Sequence, residues 1–383
     1  MTGPLSPFER AYRDPGAAAR AHRAAGGLVV GCVGADVPRE LLHAAGLLAV
    51  WLTGTPGQAT ADADRYLGTT TDPVARSQLG RLLSGDFDFL DQLLISHDSE
   101  SSLRLFTCLR EIQRVEPRPG LPVPCFVDLL HLPYRTSALY NRIRLRQLTR
   151  TLGDWTGVAV SDAAISAAVR TCNDNRRLLA QVSSLRTAAK PLLTGATALA
   201  VMGAGRFLPV EDHSRLLRQL LDSRDQLAPA AGVRIFVTGS ATDHPGTYQA
   251  IESRGAVIVA EDHDWGERGA RDLVTESADP MDGLADHYQF GPPAAAKYSI
   301  AERAAWTARS AVRVGAAAVI GLGRVNDPAP GWDFPAQRDA LRQHGIPMLY
   351  LDHQPYEPSP DAATLGRVAE FLDSVSRKAE VTP

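Results

Sequence analysis

The sequence predicts an α/β fold: two Rossmann-like (flavodoxin-like) parallel-sheet domains with a helical middle region. Three observations predict it. Short apolar runs of strand length alternate with helix-period segments in two stretches of the chain, which implies parallel strands joined by crossover helices, and the stretch between them shows helical periodicity alone. At 383 residues the chain has room for two such cores.

Residues 1–27 read as a charged helical extension. The first α/β domain, 28–133, opens with a strand from Leu28 to Cys32 and a helix started by Pro38, where proline sacrifices no hydrogen bond. A strand from Leu47 to Thr53 follows, then a helix from Pro73 to Ser84, a strand from Phe89 to Ile95, a helix from Ser99 to Gln113 and, after a proline-rich turn, a strand from Cys125 to Leu130. Residues 134–230 form the helical region; Ser161 with Asp162 caps a long helix that carries Cys172, Asn173, Asn175 and Arg176. The second α/β domain, 231–383, repeats the alternation with strands Val233 to Ser240, Ala256 to Ala260, Ala316 to Gly321 and Pro347 to Leu351, and a closing helix from Asp361 to Ser376.

The balance of 40 basic and 43 acidic residues gives a formal charge of −3, so no global field favours nucleic acid or a membrane surface. No apolar run is long enough to span a bilayer and the first residues lack a signal-like pattern, which predicts a cytoplasmic protein with no membrane partner. Cys32, Cys108, Cys125 and Cys172 form no CxxC pair, which argues against a disulfide framework or compact zinc site, and Cys108 and Cys172 read as small buried hydrophobes within helices.

In parallel sheets ligands collect at the carboxyl ends of strands, here the loops after Gly31, Ile95, Thr238, Ala260, Gly321 and Leu351. Asp98 and Ser99 begin a helix, so capping is their plainest role and a binding role is additional. Gly239 and Ser240, with His244 nearby, suit a phosphate or carboxylate but lack the spacing of a dinucleotide loop. The run Glu261 to Asp264 with Arg268 and Arg271 reads as a ligand site, a solvated loop or a metal site. Asn326 and Asp327 end a strand and suit either a turn or a ligand contact, and Trp332 and Tyr356 suit a crevice or, better, the core.

Several segments fall in a telling order: Gly31 and Cys32 with Pro38 to Leu41, Asp91 to Ser99, Thr156 and Gly157 ahead of Asn173 to Arg177, Gly255 to Val259, Gly266 to Arg268, Asp279 and Pro280, Gly345 to Pro347, and Arg367 to Phe371. From Leu28 to Ser376 this order resembles the 2-hydroxyacyl-CoA dehydratase and benzoyl-CoA reductase subunit family, of the 2-hydroxyglutaryl-CoA dehydratase D-component kind. The resemblance implies paired similar subunits, a 4Fe-4S cluster held by cysteines between two α/β domains, removal of water from 2-hydroxyacyl-CoA thioesters by radical chemistry, and a separate ATP-dependent activator. A ketyl radical is needed there because the β-hydrogen removed is only weakly acidic in the thioester.

The chain departs from that pattern at the cluster positions. His97-Asp98-Ser99 stands where the family often has Cys-Asp-Ser, Asn326-Asp327 where a cysteine commonly precedes the aspartate, and Asp72-Pro73 and Pro292-Pro293 where many members place cysteine beside proline. One aligned cysteine cannot build an ordinary 4Fe-4S site, because thiolates hold the iron. Cys32 then reads as a lone cluster ligand, as a nucleophile whose pKa a helix N-terminus lowers, or as an inherited small residue. His97 is its obvious base if the first and third strands are neighbours, or else a residue resting in a polar crevice. Glu40 lies near the reacting acyl group in the family reading, and otherwise faces solvent on the first turn of its helix.

Two principal functions follow. The first is a lyase-like enzyme on the dehydratase scaffold, acting on an acyl thioester or related small molecule through Cys32, His97 and Glu40, with Asp98, Ser99, Gly239, Ser240, Arg268, Asn326 and Asp327 binding substrate and no residue assigned to metal. The second is a non-catalytic partner of a cluster-bearing relative, as a homodimer or heterodimer. A third is a radical dehydratase subunit with oxygen or imidazole iron ligands.

Overall fold

A computed structural model describes residues 3–270, 272–295 and 297–381. The first sheet contains β1 (Val29–Val33), β2 (Leu48–Trp51), β3 (Gln92–Ser96) and β4 (Pro124–Val127), all parallel, in the order β2-β1-β3-β4. The second contains β5 (Val233–Gly239), β6 (Ala256–Glu261), β7 (Ala318–Arg324) and β8 (Met348–Gln354), also parallel, in the order β6-β5-β7-β8. These are two Rossmann-like sheets of one topology. The expected strands are all present; β7 and β8 run on to Arg324 and Gln354, past the ends read from the sequence.

Strand periodicity sorts the first sheet's side chains onto two faces. Val30, Cys32, Leu94 and Trp51 pack into one apolar cluster, whereas Val29, Val33, Leu93 and Ile95 pack into another on the opposite face. The first cluster also takes in Leu145, Leu148 and Leu152 from helix Arg135–Thr156, Ile165 and Val169 from helix Asp162–Thr187, and Met281, Leu284 and Tyr288 from helix Pro280–Phe290. The middle helices and one helix from the second half thus share a core with the first sheet. Ser161 caps its helix as expected, its hydroxyl accepting from the Ala164 N–H at 3.2 Å.

Helices Gly195–Ala204 and Val210–Asp222 complete the middle region, and Phe8 from helix Ser6–Arg13 packs with Leu178, Val182 and Leu217 against them. Two ion pairs tie distant segments together. Arg186 of helix Asp162–Thr187 meets Glu261 at the end of β6, at 2.6 and 3.0 Å and with neither side chain exposed. Arg324 at the end of β7 grips the Asp72 carboxylate with both arms of its guanidinium, at 2.7 and 3.0 Å. No helix among the described residues is long and apolar enough to cross a membrane.

Candidate functional site

In each sheet the strand order reverses direction between the central pair, β1 with β3 and β5 with β7, and the crossing leaves a crevice at the carboxyl ends. A single cavity of about 820 Å³ joins both crevices, lined by residues that follow β1, β3, β5, β6 and β7.

On the first sheet the backbone turns sharply at Gly34, with φ +92°, and a Cβ there would lie 2.1 Å from the Ser96 hydroxyl. That turn brings Asp98, at the end of β3, against the loop after β1. Asp98 Oδ2 accepts from the Ala35 N–H at 2.7 Å and Oδ1 from the Ser102 hydroxyl at 2.9 Å. Burial foremost, and then the nearby Asp36 and Asp264 carboxylates, push the Asp98 carboxyl up to about 6. Ser99 caps the next helix, its hydroxyl accepting from the Ser102 N–H at 3.1 Å, while also lining the cavity.

Asp36 behaves in the opposite way. Burial would raise its pKa, but Lys297 at 2.8 Å and His131 at 2.9 Å outweigh burial and hold it down at about 2. His97 sits on the exposed rim, where its Nδ1 faces Asp128 Oδ1 at 3.2 Å; Tyr140 donates to the other Asp128 oxygen at 2.9 Å. With Nδ1 held by Asp128, Nε2 is the ring nitrogen left to exchange a proton in the cavity.

On the second sheet, Gly239 takes φ +105°, and a Cβ there would fall 2.2 Å from the Leu322 carbonyl oxygen. The Ser240 hydroxyl donates to Asp327 Oδ2 at 2.6 Å and accepts from the Arg324 N–H at 2.9 Å, so this pair braces β5 to β7. Asn326, at φ +63°, donates to the carbonyls of Thr69 and Thr71 at 2.9 and 3.3 Å. Together with Arg324 on Asp72 it clasps the loop after β7 to the segment ahead of helix Pro73–Ser84. Arg268 holds the Asp264 carboxylate at 2.7 Å. Asp262 accepts from the Thr238 and Thr307 hydroxyls at 3.1 and 2.9 Å, and burial pushes it too up to about 6.

Two residues expected in the catalytic set lie elsewhere. Cys32 points into the core of the first sheet, fully buried, its thiol turned to the Val30 carbonyl at 3.6 Å; burial pushes it up to about 12 and it does not line the cavity. The period-two alternation that places Val30 in that core places Cys32 beside it. Glu40 is likewise buried, neither on a solvent face nor on the cavity wall, paired with Arg176 and accepting from the Tyr288 hydroxyl at 2.8 Å. Burial would raise its pKa, but Arg176 holds the carboxylate at about 2, far from the range of a general base.

The cluster of titratable residues from Glu261 to Asp264 divides by face. Glu261 serves the Arg186 ion pair and His263 shares a hydrogen bond with the buried Tyr248 hydroxyl at 2.8 Å, which leaves Asp262 and Asp264 on the cavity; Arg271 lies outside the described residues. Tyr356 is partly buried, donating to Asp243 at 2.8 Å with its ring edge-on to His244, whereas Trp332 is 72% exposed and covers no core.

Sequence reasoning missed Asp36, Asp128, Arg39 and Arg206, whereas Asp262 lay within the run already singled out. Asp36 follows a strand end and carried a positional signal; Arg39, Arg206 and Asp128 acquire their meaning only from chain segments apart in sequence. A cluster fits this wall poorly: of the four cysteines Cys172 alone lines the cavity, burial pushes it up to about 12, and among the described residues no three His, Cys, Asp or Glu side chains converge as metal ligands.

A family model described as 2-hydroxyglutaryl-CoA dehydratase, D-component, matches residues 35–375. A benzoyl-CoA reductase subunit of Thauera aromatica is 27% identical over 253 residues, 65% of this chain and 64% of that protein's length. The (R)-phenyllactyl-CoA dehydratase beta subunit of Clostridium sporogenes is 23% identical over 68% of each chain. The (R)-2-hydroxyglutaryl-CoA dehydratase beta subunit of Acidaminococcus fermentans is 22% identical over 67% of this chain and 68% of its own.

Proposed function

The chain belongs to the 2-hydroxyglutaryl-CoA dehydratase D-component family, and from that premise we propose that its cavity takes an acyl thioester or a related small molecule and performs lyase-type proton transfer without an ordinary 4Fe-4S cluster of its own. One observation carries the reading. The carboxyl ends of both sheets present the Asp98 and Asp262 carboxyls to a shared cavity, each pushed up to about 6 chiefly by burial, where the gathered thiolates of a cluster site are not found among the described residues.

Without a cluster to supply an electron, the carbon–hydrogen bond broken must already be acidified by the adjacent thioester carbonyl. Asp98 accepts that proton, since its pKa lies near neutrality and its geometry is fixed by Ala35 and Ser102. His97, oriented by Asp128, delivers a proton to the departing hydroxyl, so that water leaves as the carbon–carbon double bond forms. Ser99, Arg268, Asn326 and Asp327 line the path and position the substrate. Purified protein should convert a 3-hydroxyacyl-CoA to its enoyl thioester in air, with no activator; activity that appears only after iron and sulfide reconstitution sinks the reading.

A second reading, a non-catalytic partner subunit, is favoured by a different observation. Val123, Leu132 and Tyr134, which flank the edge strand β4 in sequence, and Leu139 and Ile143 on helix Arg135–Thr156 are each more than half exposed, at 67, 59, 61, 51 and 58%. An apolar surface of this kind marks association. In that case the protein is inactive alone, co-purifies with a cysteine-rich relative, and loses the complex on Ile143→Asp.

A further inference from the structure

The arginines that line the cavity fall into two groups. Arg104, Arg176, Arg268, Arg303 and Arg324 each meet a carboxylate. Arg39 and Arg206 meet none among the described residues. Arg39 makes no side-chain hydrogen bond or ion pair among the described residues; its guanidinium lies over the Trp51 ring, 4.6 Å from the centroid. Arg206 lies 4.8 Å from the same ring and 5.5 Å from that of Trp265, and among the described residues its side chain donates to the Asp264 backbone carbonyl alone, at 2.5 Å.

Two cations against one indole repel each other in a partly dehydrated wall. Burial and then the Arg39 charge lower the pKa of Arg206 to about 10, and burial lowers Arg39 as well. The cation–π contact offsets part of that cost. The Trp51 N–H is committed to the Gly34 carbonyl at 2.9 Å, so the indole offers its face alone and leaves the guanidinium edges open. Two open forks are what a carboxylate or phosphoryl group needs for charge-assisted, paired contacts.

We propose that Arg39 and Arg206, held on the Trp51 ring, form an oxyanion subsite in the cavity wall that takes the carboxylate or phosphoryl group of a small-molecule ligand. The cavity of about 820 Å³ leaves room for the rest of that ligand. The subsite is independent of the acyl-thioester reading, since it rests on charge and geometry and assumes no reaction. Its ligand is a monomeric anion small enough for one oxyanion group to meet the two guanidinium groups.

The test is titration calorimetry of the full chain at constant ionic strength in a chloride background, with inorganic phosphate in one arm and glutarate in the other. Heat in either arm supports the subsite, and the arm that responds identifies the group as phosphoryl or carboxylate. Arg39→Met and Arg206→Met keep an unbranched apolar chain without the charge and should each weaken binding at least about tenfold, the loss of one charge-assisted contact. Arg39→Lys, which keeps the charge without the fork, should fall between, and the remote Arg110→Met should match the parent. No heat at millimolar anion, undiminished affinity in folded Arg39→Met and Arg206→Met, or an equal loss in Arg110→Met would overturn the proposal.

Discussion

Arg186 and Arg39 are arginines of the same interior with opposite surroundings. Arg186 is enclosed completely and paired with both Glu261 and Glu267, whereas Arg39 borders the cavity with no carboxylate to meet it among the described residues. Pairing thus separates the charges that hold this fold together from those left available to a ligand. The carboxyls divide the same way: Asp36, ringed by Lys297 and His131, is kept ionised, while Asp98, pushed by burial and then by the carboxylates near it, is driven toward protonation.

The sharpest way to break that contrast is to remove one arginine of each kind. Arg186→Ala should destabilise the protein by about 3–5 kcal/mol in chemical denaturation, because two glutamates are left buried without a counter-charge. Arg39→Met should cost under about 1 kcal/mol or even stabilise, since replacing an unpaired charge by an apolar chain removes repulsion; comparable losses from both would erase the distinction. Next in size, Asp98→Asn should lower turnover of the thioester by about a hundredfold with the substrate's KM little changed. A full rate in that variant would leave Asp98 a loop brace and nothing more.

The same substitution predicts a pH effect whose sign is fixed. Asp98 has a folded pKa raised above the ordinary carboxylate value, so the folded state binds its proton more tightly and stability from this group is lost as pH rises toward about 6. Asp98→Asn should therefore gain melting temperature relative to the parent at pH 8 and lose that advantage at pH 4. Smallest of all, Cys32→Ala should cost about 1 kcal/mol for the small void it leaves and should spare activity; a dead but folded variant would return the thiol to the mechanism.

Much of the architecture was legible because strand and helix patterns are local. The eight strands and the caps at Ser99 and Ser161 followed from neighbours within a few residues. The site was legible only at the level of loops. His97, Asp98, Asn326 and Asp327 could be placed at strand ends, but the direction of a side chain at Cys32 depends on which face of the sheet its register selects, and Glu40 on an arginine more than a hundred residues away. Arg206 illustrates the limit: it follows a helix rather than a strand, and only the packing of that helix end beside Trp51 gives it a place in the cavity.

The clasp from the loop after β7 to the segment before helix Pro73–Ser84 sets how the cavity exchanges its contents. Separating the sheets at that point would return Arg324 and Asp72 to solvent only after dismantling a two-armed contact and the two carbonyl contacts of Asn326. Parting the two sheets at that point therefore costs both contacts at once, and the exposed His97 marks a stretch of cavity wall that solvent reaches without it.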